Sequence, residues 1–210
     1  MPGPTLLIDG YVLLREPSGE NWVRVTLLSP EAGVVHFLQR FSSRSPSSSP
    51  IDLFDRVAAT LERKTPSGTW FAREVRVTGW HPGLGRRYPA LREACAFARI
   101  LSSNPVHEDS RKSVFNLLRH GLQAWEKGER EDVVAFKCLY VFARDEGYAV
   151  KEDWWPQLPE QDRIRAASLV NLPIQGQEAD PEQVASIRKS LEHYLVHFTD
   201  IRLERASGDD

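Results

Sequence analysis

The chain has 210 residues, 41% hydrophobic and 27% charged, which is an ordinary globular composition and excludes wholesale disorder. No apolar run reaches the ~18 residues of a membrane span, and MPGPTLLIDGYVLL has no early Lys or Arg and is broken by Asp9, so no secretory signal is expected. The net charge of -2 hides an asymmetry: residues 1–80 hold 9 basic and 8 acidic residues, 81–128 hold 8 and 4, and 129–210 hold 10 and 17. A mildly basic middle beside an acidic final stretch suits an anionic ligand on one face, and does not suit a protein that coats DNA by charge alone.

Taken in chain order, Thr5 to Arg15 reads as a strand, with Gly10 marking a bulge or bend. A turn at 16–20 leads to a second strand around Trp22, Val23, Val25, Leu27 and Leu28, and a turn at 29–33 leads to a third, Val34 to Phe41. The run SSRSPSSSP, residues 42–50, reads as a flexible loop. Ile51 to Arg63 resumes a strand-like pattern, although Asp52 to Glu62 can also be drawn as a helix, and Trp70, Phe71, Val75 and Val77 make a last strand. Five strands with these turns predict a small β-barrel of the OB type over residues 1–80.

After Trp80 the apolar period changes to that of helices. Helices are predicted over Tyr88–Leu101, Glu108–Trp125, Glu131–Glu146 with Gly147 as its stop, Pro159–Val170, and Pro181 to about Arg205. The fold class is therefore α+β, an N-terminal five-stranded OB-type barrel (1–80) followed by an α-helical domain (81–210).

Catalytic chemistry finds little support. Cys95 and Cys138 are far apart and outside any CxxC pair, so no cysteine zinc site is expected, and two cysteines in this length suggest a reducing, cytoplasmic setting. His193 and His197 share a helix face, but no third ligand is identifiable, and no metal or cofactor is expected. Gly83-Leu84-Gly85 lacks the third glycine and the βαβ setting of a dinucleotide fingerprint, and no GxSxG elbow occurs. The protein is expected not to be an enzyme.

Binding features are richer. Trp22, Phe37, Phe41, Trp70 and Phe71 all fall in the barrel segment. Most such aromatics serve a core, but on an OB surface they can stack bases, and Phe41 abuts the polar loop. Arg40 and Arg44 lie near that loop, Arg86 and Arg87 flank the barrel-to-helix junction, and Arg111, Lys112 and Arg119 form a further group. Arg40, Phe41, Arg44, Arg86 and Arg87 are the candidate DNA-binding residues, and Arg111, Lys112 and Arg119 the candidate partner-binding residues.

The segment SGENWVRVTLLSPEAG, residues 18–33, resembles the N-terminal signature of the bacterial recombination mediator RecO family: Gly19-Glu20 in a turn, the Val25-Thr26-Leu27-Leu28 strand, and Gly33 before the third strand. VFNLLRHGLQAW resembles that family's second long helix, FKCLYVFARDEGY (136–148) a later helix end, and SIRKSLEHYLVHF its last helix. The resemblance implies an OB domain packed on a helical domain, single-stranded DNA binding and strand annealing. It implies contact with the acidic C-terminal tail of single-stranded DNA-binding protein, and partnership with RecR to load RecA in recombinational DNA repair after damage. The sequence departs from the family at Gln39-Arg40-Phe41-Ser42-Ser43-Arg44, where Phe41 replaces a glycine and Ser and Pro replace further basic residues; it also lacks the four-cysteine zinc site of some members. Fewer phosphate contacts imply a shallower salt dependence. The alternative is a protein-interaction module of the same fold with little or no DNA binding.

Overall fold

A computed structural model of the chain describes residues 3–40 and 51–203. Five strands form the first part: β1 (Thr5–Pro17), β2 (Trp22–Ser29), β3 (Gly33–Arg40), β4 (Arg56–Glu62) and β5 (Trp70–Gly79). They hydrogen-bond in the order β1-β2-β3-β5-β4, and β4 pairs back onto β1, so the sheet closes on itself. All pairings are antiparallel except β3 with β5, which meet in parallel at Phe37–Trp70 and Leu38–Phe71.

Closure depends on β1 serving two neighbours. Thr5 to Tyr11 pairs with β4, Tyr11 to Pro17 pairs with β2, and the β2 register shifts between Val12 and Leu14. Gly10 sits at the changeover, where a Cβ would lie 2.3 Å from the Leu28 carbonyl oxygen and 2.7 Å from a Leu27 methyl. Only glycine lets the two backbones come this close. Alternate residues then point inward. Ile8, Val12, Val25, Leu27, Phe37, Val57, Ala59 and Leu61 are buried together with Ile51, the period-2 signature of strands with one face on a core.

The strand pattern resumes later than the sequence predicts. Residues 51–55 form a turn, not strand, because Phe54 adopts φ +66, which a ladder cannot contain. Phe54 N–H still donates to the Val12 carbonyl, and its ring is buried.

The chain divides into two compact units. The first comprises residues 1–81 with 105–115, the second 82–104 with 116–210. The segment 105–115 belongs with the barrel because the Phe115 ring packs at a tilt against Tyr11, centroids 5.2 Å apart, and Arg111 donates to the Glu31 carbonyl at 2.9 Å. Arg56, which donates through Nε and Nη2 to the Oδ1 of Asp9, also lies over the Phe115 ring.

The second unit contains α1 (Tyr88–Ser103), α3 (Glu131–Asp145), α4 (Glu160–Asn171) and α5 (Pro181–Phe198); α2 (Arg111–Lys127) starts in the first unit and contributes its later turns here. α3 packs against α1, α4 and α5. Its residues Val133–Phe136, Cys138–Tyr140, Phe142 and Ala143 are buried around the whole circumference, as a central helix requires. It stops at Gly147 (φ +89), with Tyr148 N–H donating to the Ala143 carbonyl and Gly147 N–H to that of Arg144, a Schellman ending. α5 opens with Pro181 at its first position and Asp180 accepting from Glu182 N–H at 2.8 Å.

α5 ends at Phe198, short of the Arg205 predicted from sequence. Thr199 leaves the helical conformation and its hydroxyl donates to the Leu195 carbonyl. The buried Asn104 side chain then captures the extended backbone, accepting from Arg202 N–H and donating to the Arg202 carbonyl. Among the described residues no helix is long and apolar enough to cross a membrane.

Candidate nucleic-acid interface

The outer face of β2, β3 and the start of β5 gathers aromatic and cationic side chains. Residues directly opposite each other in a ladder share a face. Trp22 pairs with Arg40 and Arg24 with Leu38 across β2–β3, and Leu38 pairs with Phe71 across β3–β5. Val25, Phe37 and Trp70 form the neighbouring row on the opposite face, toward the core. Trp22, Arg24, Leu38, Arg40 and Phe71 therefore stand together outside the barrel.

The two rings touch. Trp22 and Phe71 meet edge to face with centroids 5.4 Å apart, and both remain partly exposed. Arg24 and Arg40 are exposed, and among the described residues neither has a hydrogen bond or ion pair. A carboxylate stands at each end of this row: Glu62 opposite Phe71, which pairs with Arg73 at 2.7 Å, and the exposed Glu16 opposite Arg24 across β1–β2. Further along the face, the Thr26 hydroxyl and His36 Nδ1 lie 3.0 Å apart. The result is an aromatic platform flanked by the exposed guanidinium groups of Arg24 and Arg40.

The other aromatics of the barrel segment serve structure. Phe37 is buried in the core. Trp70 packs against the core and is covered by the Arg63 guanidinium, 4.3 Å from its ring centroid. Phe41 and Arg44 lie outside the described residues. Of the predicted DNA-binding set, Arg40 falls on the face just described.

Arg86 and Arg87 belong to the second unit. Arg86 is exposed at the end of a 3-10 turn, Leu84–Arg86. Arg87 precedes α1, lies 3.9 Å from Glu131, and packs its guanidinium over Gly128, whose φ of +80 closes α2. Of the predicted partner-binding set, Arg111 is committed to the Glu31 carbonyl and lies over Gly33, whereas Lys112 is exposed. Arg119 is half-buried, with one guanidinium nitrogen 3.4 Å from His120 Nε2.

His120 borders a cleft within the second unit. Its volume is about 220 Å³, and its walls include Leu117, Val141, Val170 and Ile174. Lys137 also lines it, and donates to the Val170 carbonyl at 3.2 Å and the Leu172 carbonyl at 2.6 Å, closing the end of α4. Burial lowers the Lys137 pKa from its ordinary value. The rest of the lining is mostly apolar.

Sequence reasoning missed Arg24 and Leu38. The signal was present as the alternation Trp22-Val23-Arg24-Val25, which puts Trp22 and Arg24 on one face. Among the described residues no group of three or more His, Cys, Asp or Glu side chains is placed to hold a metal ion. No protein-family model matches the chain, and no curated protein is significantly similar to it.

Proposed function

We propose that the protein is a RecO-like recombination mediator that binds single-stranded DNA on the outer face of β2, β3 and β5 and acts without catalysis. The observation that carries this reading is the Trp22–Phe71 platform between Arg24 and Arg40. A nucleobase offers a flat π-face in every sequence, and stacking on an aromatic contributes about 1–3 kcal/mol per base. Arginines beside the platform meet the phosphates. The strand order β1-β2-β3-β5-β4 supports reading the barrel as OB-type, a fold whose β2–β3 face takes oligonucleotides. The ordered sequence resemblance supports the role in repair, with RecR and RecA as partners.

Fluorescence anisotropy with labelled single strands tests this. Trp22→Ala and Phe71→Ala are each expected to weaken binding roughly 5- to 150-fold. Arg24→Gln and Arg40→Gln are each expected to flatten the slope of log K against log salt by about 0.7. Wild-type affinity that survives all four substitutions contradicts the reading.

A second reading is favoured by the cleft beside Lys137. An apolar pocket with a cation fits the end of an acidic peptide, here the C-terminal tail of single-stranded DNA-binding protein, whether or not DNA binds the barrel. Calorimetric titration with that peptide is expected to give heat that Val141→Glu abolishes. No heat from the wild type counts against this partner.

A further inference from the structure

The C-terminal half of α5 carries a feature that the nucleic-acid reading does not use. His193 and His197 are four residues apart on one face, both exposed, with ring centroids 4.3 Å apart. Among the described residues neither imidazole has a hydrogen bond or ion pair. Histidines at i and i+4 on a helix direct their ring nitrogens to a common point, the arrangement helical zinc sites use for two of their ligands. The pair lies in the last two turns of α5, where the helix dipole presents its negative end and favours a cation. Lys189, one turn earlier, is exposed on a long flexible stem and free to swing away from a bound ion.

We propose that His193 and His197 form a surface chelate for a divalent transition-metal ion, with water filling the remaining coordination positions. Two neutral imidazoles without carboxylate or thiolate select nitrogen-preferring ions over Mg²⁺ and Ca²⁺, and among the former Cu²⁺ binds most tightly. Each imidazole donates a lone pair to the ion; where a ring was protonated, the N–H at the ligating nitrogen breaks and its proton goes to solvent, and no other bond of the protein changes.

The test is a Cu²⁺ titration of the full chain followed by electron paramagnetic resonance, with His193→Ala, His197→Ala and His107→Ala compared with wild type. Because the residues are exposed, circular dichroism is expected to show all variants folded. The proposal expects coupling to two imidazole nitrogens in wild type and in His107→Ala, and to one in the other variants. It also expects affinity to fall about tenfold or more on losing either chelating ring. A wild type that binds no copper overturns it. So does affinity that neither substitution changes, or that His107→Ala lowers as much.

Discussion

Trp22 and Phe71 show how little a side chain's type says without its neighbours. The barrel segment supplies several aromatics of similar appearance in the sequence, yet Phe37 is core, Trp70 lies under Arg63, and Trp22 and Phe71 form a partly exposed pair. Alternation along one strand separates two faces but does not say which face looks inward, nor which residue of the next strand lies alongside. That information is in the register, which brings Phe71 beside Leu38 from a strand over thirty residues later. Gly10 is the opposite case, legible at once as a backbone irregularity. Gly10→Ala is expected to destabilise by about 1–3 kcal/mol, since the added methyl meets the Leu28 carbonyl and the Leu27 side chain. Urea denaturation measures it, and an unchanged midpoint refutes the close approach. The thiols give a further check at this scale. Burial pushes Cys138 up to about 12 and raises Cys95 as well, so both are expected to react sluggishly with a thiol reagent at pH 8 and at normal rates in denaturant. Cys95, only half-buried, is expected to react first.

At the scale of elements, helices were readable because their apolar period of 3.6 is local, and α1 to α4 fall close to where it places them. β4 was ambiguous between strand and helix. Pairing on both sides, with β1 and β5, decides it, and Val57, Ala59 and Leu61 then point inward. The end of α5 was not readable because Asn104, about a hundred residues away, captures the backbone that sequence periodicity would have kept helical. α1 and α5 are joined by Arg188, which donates to the buried Glu93 at 2.6 Å and to Glu192 at 2.8 Å. Glu93→Ala is expected to cost about 2–3 kcal/mol, somewhat below a fully buried pair because Glu192 still holds the guanidinium. A thermal or urea unfolding series reads the loss, and a change under about 0.5 kcal/mol, typical of a surface site, contradicts it.

For the whole molecule, the sequence separates barrel from helices by the change of period near Trp80. It does not show that residues 105–115 belong with the barrel, since that depends on Phe115 meeting Tyr11 and Arg111 meeting Glu31. The acidic final stretch also has a stability consequence. Burial pushes Asp132 upward, but the paired hydrogen bonds from Arg130 and the Val133 N–H outweigh it, and its pKa ends below the ordinary 3.8. A carboxyl lowered on folding adds stability that is present above its unfolded value and lost as pH falls through the folded one. Asp132→Asn is therefore expected to lower the melting temperature at pH 6, with the difference from wild type shrinking steadily below pH 4; a constant difference would refute the pairing.

The account rests on single strands lying across β2, β3 and β5. Photocrosslinking a 5-bromodeoxyuridine strand to the full chain, then mapping adducts by mass spectrometry, tests that placement directly. Adducts are expected on the peptides carrying Trp22 and Phe71, and are expected to disappear when unlabelled single strand competes. Adducts confined to residues 82–203, with none on those two peptides, would contradict it.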